Sequence, residues 1–328
     1  MKKKVLITGA NGFLGGRVLE DLLQHGYNVT ATARQKRIEH ALTGFRYIRA
    51  DLRDSSCIDM LGDNYDCVIH CAAKSSPWGD YRSFYEANVR ASENILLMSR
   101  KYGVGSIVYI STPSVYFTFG DRLNIREDDP LPDPMVNHYA TTKYLAEQMM
   151  LQSEIPVIAL RPRALIGRGD TVIMPRVLHA YHQGKLRIIG SGDNIVDLTP
   201  VANVVRAVHD AMNAPAPAWN QAYNIGCGQP VKLWDTIKDL FGKLGLKFEN
   251  KRVPYFAAYY FAFASELVAR YLTGKEPALT RYGVAILRFS MTMDISKAAR
   301  SLGYTPVQTV AQGMDEFVEW WKIRADDY

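Results

Sequence analysis

The sequence predicts an α/β fold, a doubly wound parallel sheet followed by a smaller C-terminal substrate-binding domain. Two observations carry that expectation. Short β-branched runs alternate with helical patterns through the first half of the 328-residue chain, which is how a parallel sheet with helices on both faces reads. The first run, Val5-Leu6-Ile7, leads directly into Gly9-Ala10-Asn11-Gly12-Phe13-Leu14-Gly15. Glycines at that spacing between a strand and a helix make a turn tight enough for backbone N–H groups to meet a pyrophosphate at a helix N-terminus.

In chain order, strands are expected at 5–8, 29–33, 47–50, 67–70, 107–111 and 157–161. The helix after the glycine turn carries Phe13, Leu14, Val18 and Leu22 on one face, the stripe that packs on a sheet. Residues 1–163 then form a Rossmann-type NAD(P)-binding domain, with segments near 196–226 returning to it. Residues 164–328 form mainly the substrate-binding domain, with proline joints at 213–217 and turn signals at Gly190-Ser191-Gly192-Asp193. Residues 255–264 are ten consecutive apolar positions with six aromatics, far short of the ~20 residues that span a bilayer. The plain expectation is a buried helix; the alternatives are a lid over a lipid-like substrate or a peripheral membrane contact through 255–271.

A composition of 48% hydrophobic and 22% charged residues is that of a soluble globular protein. The net charge of +6 is scattered, with no basic tail or stripe, which favours anionic ligands and a solvated surface over nucleic acid. Met1-Lys2-Lys3-Lys4 mimics the start of a signal peptide, but the apolar run after it is short and broken by the glycine turn. A first strand and a cytoplasmic location are expected instead. Cys57, Cys67, Cys71 and Cys227 lack metal-ligand spacing, so reduced, mostly buried thiols and no metal are expected.

Cofactor choice is read at the end of the second strand, where an NAD site places an acid for the ribose hydroxyls. This chain has Ala33, then Arg34, Lys36 and Arg37. No carboxylate repels a 2′-phosphate there, and Arg34 and Arg37 offer guanidinium groups that can fork onto one. NADP(H) is therefore preferred, with NAD(H) the alternative and a solvated basic loop the plain reading. Asp51 and Leu52 follow the third strand, and Cys71, Ala72, Ala73 and Lys74 follow the fourth, at the carboxyl ends where open α/β sheets bind ligands. Asp51 can accept from an adenine amine, and the small alanines admit a close approach. His70 reads as a packed strand histidine without chemistry.

Tyr139 and Lys143 stand four residues apart and share a helix face. Thr112 follows the fifth strand and completes a hydroxyl–phenol–ammonium set. A free phenol has a pKa of ~10, and the ammonium is expected to draw that of Tyr139 down. Tyr139 would protonate a carbonyl oxygen, Thr112 would hold that oxygen, and Lys143 would also fix the nicotinamide ribose. Arg163, just past the sixth strand, could clamp a substrate carboxylate or pair with a local acid. Trp78 could line the same cleft or simply pack.

These residues resemble the extended short-chain dehydrogenase/reductases over essentially the whole chain. The resemblance rests on Gly9, Gly12 and Gly15, Asp51-Leu52, residues 70–73, Asn88, Ser111-Thr112, Tyr139 with Lys143, and Leu160-Arg161-Pro162. Thr112 replaces the family's serine, and Ile166-Gly167-Arg168-Gly169-Asp170 departs from its Tyr-Gly-Pro-Gly. Loop matches at Lys74, Trp78-Gly79, Tyr81, 111–115, 160–163, 190–197 and 274–277 resemble the 3β-hydroxysteroid dehydrogenase branch. They are similar to the bacterial 2-alkyl-3-oxoalkanoate reductases in particular. The resemblance implies NADPH-dependent interconversion of ketone and alcohol on a fatty, acidic substrate, a 3-oxo acid or a 3-keto sterol. It places Pro162 beside the cofactor, Ser114 beside the substrate, and a helix-pair homodimer across 81–102 and 139–152. A nucleotide-sugar epimerase and a nonenzymatic dinucleotide sensor share the scaffold and remain the other readings.

Overall fold

The computed structural model describes residues 2–36 and 42–325. Strands β1 (Lys4–Thr8), β2 (Asn28–Ala33), β3 (Arg46–Arg49), β4 (Cys67–His70), β5 (Ile107–Ile110), β6 (Val157–Pro162) and β7 (Gln221–Ile225) form one sheet. Its order is β7-β6-β5-β4-β1-β2-β3, and every pairing is parallel. Val5, Leu6 and Ile7 are completely buried, as expected of a strand covered on both faces. The order reverses between β1 and β4, and at such a reversal the crevice above the carboxyl ends opens for ligand.

Helix α1 (Phe13–Gln24) buries Leu14, Val18, Leu19 and Leu22. The predicted helix at 81–102 has three parts: an α turn Tyr81–Phe84, a π turn Tyr85–Arg90, and α2 (Ala91–Tyr102). Helix α3 (His138–Leu151) carries Tyr139 and Lys143 in its first turns. Helix α4 (Val201–Met212) packs on α1. The Asp21 carboxylate meets His209 across that seam, with His25 beside it.

The chain leaves the sheet after Pro162 through Ala164, a non-glycine residue at φ 43°. Beyond it, Trp234, Phe241, Leu240 and Phe317 centre a separate apolar cluster. A four-stranded sheet runs Val231–Lys232, Ile195–Val196, Met291–Met293, Arg122–Ile125, so the loop 117–137 reaches across and ties the two layers together.

The aromatic segment differs from the plain expectation. It forms α5 (Tyr255–Val268), in which only Ala258 and Ala262 are buried. The helix is apolar on every side, so its period could not tell which face would be covered. Packing selects the small alanines and leaves Phe256, Tyr260 and Phe261 exposed. Among the described residues, no helix is long and apolar enough to cross a membrane.

Candidate active site

The glycine loop is shaped by close approaches. Gly9 adopts φ 70°, and the Gly12 N–H donates to its carbonyl at 2.9 Å. A Cβ on Gly15 would lie 2.1 Å from the Gly9 oxygen, and one on Gly9 would lie 2.8 Å from the Ala72 nitrogen. Only glycine allows the turn, the helix and the end of β4 to meet so tightly. No side chain caps α1, and no acid occupies its first turn. The N–H groups at that helix end, and its dipole, are therefore left for an anion.

A cleft of about 510 Å³ opens above this loop. Gly9, Asn11, Gly12 and Arg34 bound it on one side. Asp51, Leu52, Cys71, Ala72, Ala73 and Lys74 bound it on the other. Phe13, Leu14 and Gly15 form the first turn of α1 behind the loop, with Leu14 in the core. Pro162 ends β6 and is buried. Arg37 lies outside the described residues. Arg34 is exposed at the rim and has no carboxylate partner among the described residues. Arg53, absent from the sequence reading, grips Asp51 through Nε at 3.0 Å and a terminal nitrogen at 2.6 Å and holds its carboxyl below the usual range. A long groove with a cationic rim and an uncapped helix end fits a nicotinamide dinucleotide.

A hydrogen-bond chain runs from β1 to α3. The Ala72 N–H donates to Thr8 Oγ1 at 3.2 Å, which lies 2.7 Å from His70 Nδ1. His70 Nε2 lies 3.0 Å from Ser92 Oγ, whose hydroxyl donates to the Asn88 carbonyl at 2.6 Å. Since Ser92 spends its proton on Asn88, His70 donates from Nε2 and accepts from Thr8 at Nδ1. This is a neutral imidazole, and burial together with the Lys143 charge depresses its pKa to about 3. Asn88 then accepts from the Lys74 N–H at 2.8 Å and donates to Thr142 Oγ1 at 3.0 Å.

Thr112 Oγ1 accepts from the Ser114 N–H and donates to the Ser114 hydroxyl, both at 3.1 Å. Ser114 Oγ lies 3.0 Å from the Tyr282 hydroxyl. The Thr112 side chain beside Tyr139 favours the phenolate, but burial outweighs it and pushes the phenol's pKa up to about 12. The expected lowering by Lys143 is not found. Lys143 Nζ donates to the Ile110 carbonyl at 2.6 Å and lies 4.0 Å above the Tyr109 ring. A buried ammonium deprived of water takes the nearest backbone acceptor, and desolvation pulls its pKa down to about 7 against the opposing pull of Glu147.

Two arginines stand behind these hydroxyls. Arg161 pairs with the fully buried Glu147, with Nε at 2.9 Å. It also donates to the Tyr116 hydroxyl, which in turn donates to Asn224 at 3.0 Å. Arg163 is 8% exposed. Its side chain forms no hydrogen bond or ion pair among the described residues, and its Nε is buried without a partner. Burial lowers its pKa, with Tyr282 and Asp197 opposing, while Asp197 itself accepts from the Met293 N–H at 2.6 Å. Trp78 is half-buried and tied through its backbone to Ser76. Tyr282 was invisible to sequence reading: it comes from α6 (Arg281–Arg288), far along the chain and without a local motif.

Comparison with known proteins agrees with this geometry. The sequence profile of the NAD dependent epimerase/dehydratase family matches residues 5–226. The chain is 32% identical over 320 residues to a 2-alkyl-3-oxoalkanoate reductase of Stenotrophomonas maltophilia, covering 95% of this chain and 97% of that protein. It is 28% identical over 329 residues to a mouse sterol-4-alpha-carboxylate 3-dehydrogenase, decarboxylating, covering 97% and 89%. In fold it is similar to the UDP-glucuronic acid 4-epimerase of Bacillus cereus solved with NAD, with a TM-score of 0.73, 22% identity, and 98% and 99% coverage.

Proposed function

The chain belongs to the NAD dependent epimerase/dehydratase family and is an oxidoreductase of the extended short-chain dehydrogenase/reductase kind, and within that family we propose that it reduces the 3-keto group of a hydrophobic 3-oxo acid with NADPH. The observation that carries the reading is Arg163. A guanidinium this buried, with no side-chain hydrogen bond and only the charges of Asp197 and Tyr282 opposing its burial, is costly, and Tyr282 hydrogen-bonds through Ser114 to Thr112. A substrate carboxylate satisfies it. The rings of Phe117 and Tyr282, 4.9 Å apart, give an acyl chain an apolar wall.

When bound, NADPH supplies the hydride that a ketone carbon accepts. Tyr139 keeps its proton throughout the neutral range, because its pKa stands at about 12, and it donates that proton to the ketone oxygen as charge builds there. Thr112 turns its hydroxyl from Ser114 to the same oxygen, a bond that strengthens as the alkoxide develops. Lys143, charged below about pH 7 before ligand enters, holds the ribose side of the cleft. Arg34 takes the 2′-phosphate, since no acid at Ala33 competes for that place. The α2 and α3 faces, where Leu97 and Leu145 are exposed, suit a homodimer.

The test offers purified protein and NADPH a 2-alkyl-3-oxo acid, a 3-keto sterol and UDP-sugars in separate reactions. NADPH oxidation with the 3-oxo acid is expected, and Tyr139→Phe should lower it by at least about a thousandfold with cofactor binding retained. Sugar conversion without net cofactor consumption would replace this reading with the epimerase one.

A further inference from the structure

Helix α5 and the π turn Ala269–Thr273 that continues it bury only Ala258, Ala262 and Ala269 and leave most of their bulk outward. Ala258 and Ala262 pack on Ile189 and Val284. Phe256, Tyr260, Phe261, Tyr271 and Leu272 are 70%, 65%, 63%, 74% and 80% exposed. The positions 256, 260, 263, 267, 271 and 257, 261, 264, 268, 272 make two adjacent rows of i, i+3 and i, i+4 steps, and none carries a charge. The resulting apolar stripe is roughly 25 Å long. With large aromatics contributing ~150–250 Å² each when fully exposed, it presents on the order of 800 Å², above the ~300–600 Å² of the largest patch on a typical monomer.

The segment that carries the stripe is cationic. Residues 247–288 hold seven Lys and Arg against three carboxylates, and each carboxylate already faces a cation: Glu249 with Lys251, Glu266 with Arg281, Glu276 with Arg176. Arg252, Arg270 and Lys275 have no acidic partner among the described residues. A second copy would bring the same net positive charge against itself. An apolar face on a segment of net positive charge complements acyl chains beneath anionic headgroups. The stripe also connects inward: Tyr259 lies 6.0 Å from Phe119, which lies 6.0 Å from Phe117, which touches Tyr282.

We propose that α5 and the turn after it dock flat on a bilayer bearing anionic headgroups, and that this aromatic path delivers the acyl chain from bilayer to catalytic hydroxyls. Only the delivery rests on the ketone-reductase reading; docking stands on the surface alone.

Docking is measured without substrate, by co-sedimenting the full-length protein with vesicles of phosphatidylcholine and phosphatidylglycerol in equal parts, so its failure is distinct from failure of ketone reduction. The protein should bind these vesicles and bind pure phosphatidylcholine at least about tenfold more weakly, with high salt acting the same way. The combined variant Phe256→Ser, Tyr260→Ser, Phe261→Ser, Leu272→Ser, with unchanged circular dichroism and NADPH binding, should lose vesicle binding by at least about tenfold. No binding to either vesicle, or undiminished binding by the variant, overturns the proposal. If the vesicles are ignored and the variant instead breaks up a dimer, the face belongs to a second copy and the proposal falls.

Discussion

Arg161 and Arg163 sit two residues apart at the end of one strand, and both are more than nine-tenths buried. Around Arg161 every polar group is answered: Glu147 takes two of its nitrogens, and Tyr116 passes the chain on to Asn224. Around Arg163, Asp197 and Tyr282 act only through charge, and no side-chain hydrogen bond among the described residues closes the circuit. The first region is a completed polar network that fixes how α3 lies on the sheet. The second is an incomplete one, and an incomplete buried network in a native structure calls for an explanation, which the proposed substrate carboxylate would supply.

The contrast breaks most visibly if either half of the Arg161 pair is removed. Glu147→Gln or Arg161→Met leaves one uncompensated buried charge and should cost about 3–5 kcal/mol in denaturant unfolding, whereas replacing both should recover much of it. If the single variants unfold like the wild type, the network is ornamental. Arg163→Met should be neutral or stabilising in the same assay, yet lower kcat/KM for a 3-oxo acid by about a hundredfold, roughly 2.7 kcal/mol. A ketone lacking the carboxylate should be nearly indifferent to it. Equal losses on both ketones would assign Arg163 to the fold after all.

Acid sharpens the same comparison at a second answered group. His70 is held at about 3 in the fold against ~6.5 unfolded, so on acidification the unfolded chain takes up its proton first. Stability that is fully present above pH 6.5 is lost as pH falls through the window below it, by about 2 kcal/mol at pH 5. Comparing unfolding midpoints at pH 7 and pH 5 for wild type and His70→Gln measures this; a wild-type slope that survives the substitution would locate the effect elsewhere. Smallest is the exposed rim: Arg34→Ala should raise the NADPH dissociation constant about tenfold and leave NADH nearly unchanged. Equal losses would remove the 2′-phosphate contact.

The parallel strands were legible because most are short apolar or β-branched runs ended by a polar or glycine break, and each of the six expected lies within about a residue of its observed bounds. The glycine turn was legible because its spacing is a steric requirement, visible in the 2.1 Å approach at Gly15. The position of the Tyr139–Lys143 face followed from helical period, but the acceptor that Lys143 takes did not, since that depends on the neighbouring strand's carbonyl. Glu147 reads on its own as a surface charge. Its burial appears only when Arg161 arrives from β6. Tyr282 comes to the site by tertiary packing alone, and for α5 an all-apolar helix left its covered face undecided.

The relay from Thr8 through His70, Ser92 and Asn88 to Thr142 has a mechanical corollary. It bolts the strand beneath the phosphate loop to the helix that presents the phenol. Those two parts cannot melt separately without stranding a neutral imidazole between them. In native-state hydrogen exchange the amides of Ala72 and Lys74, both donors in that relay, should open only with the whole domain. The glycine loop and Tyr139 would then lose their placement in one event.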